Sequence, residues 1–277
     1  MVHIPEVTLS NGVKIPQVGL GVYQVTENDI VSTVQSALEN GYRHIDTASF
    51  YDNEVGVGEA VKNSNLNREE LFITSKVWND EQGYEETLAA YERSITRLGT
   101  DYLDLYLIHW PMDGTIVETW KALEYLYENK KVRAIGVSNF LPHHLEEIME
   151  VATVRPMINQ IELHPKLIQK EAVDYCEAND IVIQSWSPIG RARYLDDPLL
   201  VTLAEKYDKS AAQIILRWHL AHNYVIIPRS TNHVRQLENL QLFDFELTNK
   251  EIAEITALHT SEDRIGSHPD DMAKKQF

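Results

Sequence analysis

The chain has one cysteine in 277 residues, and its basic side chains are few against its acidic ones: 25 Lys and Arg to 42 Asp and Glu, a formal charge of -17. A lone cysteine, Cys176, closes no internal disulfide and builds no zinc site by itself. No stretch approaches the roughly 18 uninterrupted apolar residues that a membrane span requires. Met1 to Glu6 lacks the basic start and apolar run of a signal peptide. The acidic balance repels phosphate backbones and anionic lipid in bulk. The expected setting is therefore the cytoplasm and the expected partner a small molecule, with no nucleic acid, no membrane and no second subunit. Any anionic ligand has to be met by a local cluster of Arg or Lys. Hydrophobic residues make up 43% of the chain, enough for a large core, so disorder and small disulfide scaffolds are excluded.

What is present alternates between two textures. Asn11-Gly12, between Val7-Thr8-Leu9-Ser10 and Val13-Lys14-Ile15, marks a tight hairpin. After it come short apolar, β-branched runs at Gln17–Leu20, Arg43–Ile45, Leu71–Thr74, Leu103–Ile108, Val132–Val137, Met157–Ile161, Ile181–Gln184 and Val225–Ile227. Between them apolar residues recur at helical spacing, as in Ile30/Val34/Ala37/Leu38 and Leu88/Tyr91/Ile95/Leu98. Gly41, Gly99 and Asn179 stand where such helices should stop. The units are about 30 residues long, the repeat of an α/β (β/α)8 TIM barrel with an N-terminal β-hairpin and extra helices. No Gly-, Ser- or Pro-rich linker divides the chain, so residues 1–277 are expected to form one domain. The competing fold, an open doubly wound sheet, wants a dinucleotide glycine fingerprint. Gly19-x-Gly21 lacks the third glycine and Gly56-x-Gly58 lies inside a helical pattern, so both read as packing or turn glycines.

In a barrel the chemistry lies where the strands end. The second run ends in Asp46, the third in Lys76 and the fourth in His109, while Tyr51 follows shortly after Asp46. Singly, each is an ordinary loop charge, core histidine or surface aromatic. Brought to one mouth, they make a proton-delivery set. An ammonium near a phenol lowers the phenol's pKa and makes Tyr51 a better acid. Asp46 holds Lys76 charged, and His109 donates to a carbonyl oxygen as negative charge develops on it. The set contains no nucleophile and no metal cage, so a hydride must come from a cofactor. For that cofactor, Arg229, the Ser230 and Thr231 hydroxyls and the following helix start, with Arg235 one turn in, form an anion site suited to a 2′-phosphate, which favours NADPH over NADH. Trp186 offers a flat face to a nicotinamide ring, and Ser138, Asn139 and Gln160 offer hydrogen bonds to its carboxamide.

Taken together, these segments resemble the aldo-keto reductase family from Val7 to about Pro269. The resemblance is carried by Gly41-Tyr42-Arg43-His44-Ile45-Asp46-Thr47-Ala48 through Tyr51 to Gly56, Thr74-Ser75-Lys76-Val77-Trp78, and Leu105-Tyr106-Leu107-Ile108-His109-Trp110-Pro111. Gly136-Val137-Ser138-Asn139-Phe140, Asn159-Gln160-Ile161-Glu162-Leu163-His164-Pro165 and Ile227-Pro228-Arg229-Ser230 add to it. It implies a catalytic tetrad of Asp46, Tyr51, Lys76 and His109, with Tyr51 as general acid, and NADPH bound across the barrel mouth without a dinucleotide fold. Carboxamide contacts fall on Ser138, Asn139 and Gln160, and the stacking aromatic on Trp186. Phosphate and adenosine contacts fall on Ser187, Ile189, Arg229, Ser230, Thr231, Asn232, Arg235, Glu238 and Asn239. Trp186 is similar to the bacterial branch with diketogluconate and glyoxal reductases, and Arg229 stands where many members have lysine. Short loops at Trp110–Thr119 and Gly190–Pro198 and a compact tail after Thr260 imply an open pocket walled by Tyr23, Phe50, Trp78 and Trp110. Such a pocket suits small polar carbonyls: α-ketoaldehydes, keto sugar acids and simple aldehydes.

Two other readings differ in class. A cofactor-binding regulatory or structural protein on the same barrel needs impaired tetrad geometry or a partner-binding extension. A metal-dependent isomerase needs clustered ligands, and Asp46, His109 and Glu162 are available. Lys76 among them repels a cation, so no metal is expected. His143-His144 reads as solvated surface, Cys176 as packed core, and Asp196-Asp197 and Asp270-Asp271 as solvated loop acids.

Overall fold

The computed structural model describes residues 3–260 and 263–275; Met1 and Val2, part of the signal-peptide reading, lie outside the described residues. The hairpin forms as expected, β1 (Glu6–Thr8) pairing antiparallel with β2 (Lys14–Pro16). A parallel sheet of eight strands follows in chain order: β3 (Leu20–Gly21), β4 (His44–Asp46), β5 (Phe72–Val77), β6 (Leu103–Ile108), β7 (Val132–Ser138), β8 (Ile158–Glu162), β9 (Val182–Trp186) and β10 (Val225–Ile226). Val18 bridges Ile226 in parallel, and the Gly19 N–H donates to the Ile226 carbonyl at 2.8 Å. First strand thus meets last, and the sheet closes into a (β/α)8 barrel.

The helices are α1 (Glu27–Asn40), α2 (Glu54–Asn63), α3 (Tyr84–Leu98), α4 (Ile116–Glu128), α5 (Pro142–Met149) and α6 (Lys170–Ala178). They continue with α7 (Pro198–Tyr207), α8 (Ala211–Ala221), α9 (His233–Glu238), α10 (Asn249–Thr256) and α11 (Pro269–Ala273). The stop signals work as read: Gly41 ends α1 at φ 107° and Gly99 ends α3 at φ 62°, left-handed backbone that glycine enters without steric cost. Asn179 ends α6. Strands β4, β5, β6 and β8 are buried along their whole length, as strands covered by helices on one side and by barrel filling on the other must be. Among the described residues no helix is long and apolar enough to cross a membrane.

Most strand boundaries differ from expectation by a few residues, those of the first and third runs most. The Gln17–Leu20 run is divided between neighbours: Gln17 and Gly19 bond to Ile226, while Leu20 and Gly21 pair with β4. The third run extends to Val77, which puts Lys76 inside the strand rather than at its end. Gly58, read as a packing glycine, lies in α2 against the Leu98 carbonyl at the end of α3, where a Cβ has no room. Gly58→Ala should therefore lower stability by about 1–3 kcal/mol in urea unfolding, the usual cost of overpacking. An unchanged midpoint would show that α2 can shift away.

Candidate active site

Asp46 ends β4, Lys76 lies one residue before the end of β5, and His109 directly follows β6. These are three adjacent strands of the sheet. Tyr51 closes a short 3-10 turn, Ser49–Tyr51, between β4 and α2. The Lys76 side chain is 0% exposed and donates from Nζ to Asp46 Oδ1 at 2.6 Å and to the Thr47 carbonyl at 2.9 Å. Its third donor reaches the Tyr51 hydroxyl oxygen at 3.4 Å. A buried ammonium needs this full set of partners. Because the phenol oxygen accepts from Lys76, its own proton stays free to be donated elsewhere.

Charge and burial compete here. Burial draws Lys76 below its ordinary pKa, against the pull of Asp46. Burial, then Asp46 and Tyr23, push the Tyr51 phenol well above its ordinary value. The expectation that Lys76 lowers the phenol pKa is therefore overturned for the resting site. Desolvation, the largest cause, sets the sign, and the Asp46 carboxylate, 2.6 Å from the ammonium, opposes its field. The proton is held firmly until a strong base forms beside it. Burial and the charge of Lys76 push His109 well below the ordinary histidine value, so the ring is neutral near pH 7. Among the described residues its buried Nδ1 has no hydrogen-bond partner, which suits a lone pair better than an N–H. The proton is accordingly assigned to Nε2.

Beside these groups opens a cavity of about 1090 Å³, large for a ligand site. Asp46, Tyr51 and His109 line it, and so do the expected cofactor residues Ser138, Asn139, Gln160, Trp186, Ser187, Ile189, Arg229, Ser230, Thr231, Asn232, Arg235, Glu238 and Asn239. Tyr23, Phe50, Trp78 and Trp110 line it as well. Lys76 alone of the expected residues stands behind that lining, reaching the cavity through Tyr51. Phe50 stacks on Trp78 with ring centroids 3.7 Å apart, and the Trp78 ring meets His109 edge-on at 4.9 Å.

The residues expected to hold a carboxamide are tied to the proton-delivery set. Ser138 Oγ donates to the Gln160 carbonyl at 2.8 Å, Asn139 Nδ2 to the His109 carbonyl at 3.0 Å, and Trp186 Nε1 to Asn139 Oδ1 at 2.8 Å. Gln160 Nε2 donates to Asp46 Oδ2 at 2.7 Å. Asn139 and Ser187 hold left-handed backbone, φ 64° and 48°, of the kind that gathers at ligand-facing turns. On the α9 side Arg229 and Arg235 are exposed, and among the described residues neither pairs with a carboxylate. Arg229 Nη1 donates to Gln24 Oε1 at 3.3 Å. In so acidic a chain, two unneutralised guanidiniums on one cavity are placed for an anion.

Several partners were not legible beforehand. Thr47 accepts from Lys76 through its backbone carbonyl, His44 stands inside a motif without a role assigned to it, and Gln24 and Gln184 carry no motif. Glu162, considered only as a metal ligand, has another task. It is fully buried, and its carboxylate accepts from the Ile265 N–H at 2.6 Å and the Gly266 N–H at 2.8 Å. This draws the tail across the mouth, where Ile265, Gly266, Ser267, Met272 and Lys275 join the lining. The tail adds a wall to the pocket expected from short loops, while Tyr23 and Phe50 on its lining stay 39% and 45% exposed. Met272 packs with Trp110 and Met112, leaving Trp110 8% exposed.

The surface reading is corrected for His144, which is buried, while His143 is exposed as read and Asp270 is partly so. His143 Nε2 and His144 Nε2 lie 2.9 and 3.2 Å from Asp270 Oδ1, clasping α11 to α5. This group has the spacing of a metal site. However, His144 is buried and its Nδ1 accepts from the Leu141 N–H at 3.1 Å, so its ring proton occupies the nitrogen that a metal would need. Cys176 is buried in the core, as read.

The profile of the Aldo/keto reductase family matches residues 16–260. The chain belongs to that family. It is 53% identical over 267 residues to the glyoxal reductase of Bacillus subtilis, covering 96% of each chain. It is 42% identical over 268 residues to the methylglyoxal reductase DkgA of Escherichia coli, covering 95% of this chain and 96% of that one. Among solved structures, a Gox0644 variant in complex with NADPH superposes with a TM-score of 0.94 at 41% identity, covering 99% of this chain and 100% of that chain.

Proposed function

We propose that this protein reduces small polar aldehydes and ketones with NADPH, Tyr51 protonating the oxygen of the nascent alcohol. One observation carries the reading: the Tyr51 hydroxyl, backed by Lys76 at 3.4 Å, shares with His109 a cavity to which the guanidiniums of Arg229 and Arg235, unpaired with any carboxylate among the described residues, also belong. The residues fit the cofactor. The two arginines, Ser230, Thr231 and Asn232 suit a 2′-phosphate, and Ser187, Ile189, Glu238 and Asn239 are available to the rest of the phosphates and the adenosine. Trp186 supplies a ring face, while Ser138, Asn139 and Gln160 supply the polar edge for a carboxamide. When bound, NADPH supplies the hydride.

The rest of the chemistry belongs to the chain. His109 Nε2–H and the Tyr51 O–H are both available to a carbonyl oxygen, polarising it and excluding the wrong orientation. As the carbon gains hydride, the oxygen becomes an alkoxide, basic enough to take the firmly held phenol proton. Lys76 stabilises the phenolate left behind, and solvent reprotonates it. No electron or atom is left over: carbonyl, hydride and proton give an alcohol. Phe50, Trp78, Trp110 and Tyr23, flanked by the tail, leave room for methylglyoxal, keto sugar acids and simple aldehydes. The chain works as one catalytic domain, since the cavity draws on residues from Gly21 to Lys275.

The test is NADPH oxidation with methylglyoxal, 2,5-diketogluconate and an aromatic aldehyde, repeated with NADH. Turnover on the polar carbonyls, faster with NADPH, is expected. Cofactor binding without turnover on any of them would favour a regulatory protein on the same barrel. A double variant, Arg229→Ala with Arg235→Ala, should weaken NADPH binding by about 10–100-fold, the scale of charge-assisted phosphate contacts, and leave NADH binding nearly unchanged in a fluorescence titration. Equal losses for both cofactors would place the phosphate elsewhere.

A further inference from the structure

The hydrogen bonds behind the cavity carry a direction. We infer that His44 and Gln184, neither of which lines the cavity, are positioning residues that make Gln160 present its carbonyl oxygen, rather than its NH2, to the cofactor's carboxamide. The inference rests on the NADPH reading above. Gln160 is on β8 and Asp46 on β4, four strands apart in the ring, so their bond must cross the barrel interior. Gln160 Nε2 uses one hydrogen on Asp46 Oδ2 at 2.7 Å and the other on Gln184 Oε1 at 2.9 Å. Gln184 Nε2 in turn faces His44 Nε2 at 3.4 Å, and His44 Nδ1 faces the Pro16 carbonyl at 3.2 Å.

Both ends of this row are obligate acceptors, a carboxylate and a backbone carbonyl, and that sets every group between them. The Pro16 carbonyl calls for a proton on His44 Nδ1, leaving a lone pair on Nε2. That lone pair turns the Gln184 NH2 toward His44 and the Gln184 oxygen toward Gln160. With both Gln160 N–H groups taken, its Oε1 is the atom left for the cavity that Gln160 lines. Reversing Gln184 would set two NH2 groups face to face and push Gln160 off its bond. Thr74 Oγ1, 3.5 Å from His44 Nε2, adapts to either arrangement because a hydroxyl rotates. Two further features serve the ring. Pro16 is held in the hairpin by its pairing with Glu6, and Gly19 leaves space for the imidazole, since a Cβ there would lie 2.5 Å from His44 Nδ1. The bottom hairpin is thus coupled through side-chain polarity to the cofactor end of the cavity.

The experiment compares wild type, His44→Phe, Gln184→Met and His44→Gln by calorimetric binding of NADPH and of adenosine 2′,5′-bisphosphate, with circular dichroism as the folding check. His44→Phe and Gln184→Met should bind NADPH about 10-fold more weakly, the scale of one buried hydrogen bond lost, yet bind the bisphosphate, which has no nicotinamide, as wild type does. His44→Gln, whose amide oxygen can take the Gln184 N–H, should recover most of the NADPH affinity. Wild-type NADPH affinity in the folded Phe and Met variants, or parallel losses for both ligands, overturns the inference. Nitrogen-15 NMR of wild type gives a second reading that needs no variant: His44 should carry its proton on Nδ1, and a proton on Nε2 overturns the relay. Wild type that binds the bisphosphate but gains nothing from the nicotinamide half would instead overturn the cofactor reading, and this inference with it.

Discussion

Tyr51→Phe should lower kcat/KM for methylglyoxal by about 10²–10⁴-fold, the reach of general-acid catalysis, while NADPH binds as tightly as before. The two effects separate because among the described residues the hydroxyl makes one hydrogen bond, the 3.4 Å bond from Lys76, whose other donors remain engaged by Asp46 and Thr47. The fold and the arginine side of the cavity lose nothing. The alkoxide loses its proton source, and His109, neutral with one N–H, stabilises charge without replacing an acid of the right geometry. Stopped-flow oxidation and fluorescence titration on the same preparation measure both quantities. Weakened NADPH binding with turnover retained contradicts the assignment.

Lys76→Met is expected to cost both activity and stability. Removing the ammonium leaves Asp46, 1% exposed, as a buried carboxylate whose one remaining hydrogen-bond donor among the described residues is the Gln160 N–H. Breaking one side of such a pair usually costs about 3–5 kcal/mol, because the remaining charge is left without compensation. Turnover should fall as far as in Tyr51→Phe, since the phenolate loses its stabilising neighbour. Adding Asp46→Asn removes the orphaned charge, so the double variant should regain much of the stability in urea unfolding and none of the activity. A single variant as stable as wild type, or an active double variant, would show that Lys76 neither balances Asp46 nor supports Tyr51.

Much of this was legible because the signals are local. Asn11-Gly12, Gly41, Gly99 and Asn179 act through turn and cap geometry within a few residues, and each stands where the chain reverses or a helix stops. Asp46, Lys76 and His109 were readable because a parallel barrel brings strand ends to one mouth, whatever lies between them in sequence. The unreadable part depends on which side chains meet across the lumen. Gln160 and Asp46 are 114 positions apart, and nothing in either segment says that their polar ends touch. His44 and Gln184, separated by 140 positions, raise the same difficulty. Glu162 was misleading for a related reason: a carboxylate near a barrel mouth looks the same in sequence whether it holds a cation or two backbone amides. The sign of the Tyr51 shift was missed because a neighbouring charge is easy to infer, whereas its neutralisation and the depth of burial are three-dimensional quantities.

The central claim is that reducing equivalents pass from NADPH to a carbonyl carbon held beside Tyr51. A single-turnover reduction of methylglyoxal by the wild-type protein, using NADPH deuterated at both C4 positions and mass spectrometry of the product, tests it most directly. Deuterium on the new carbinol carbon is the expected result; an alcohol formed without that label would contradict the claim.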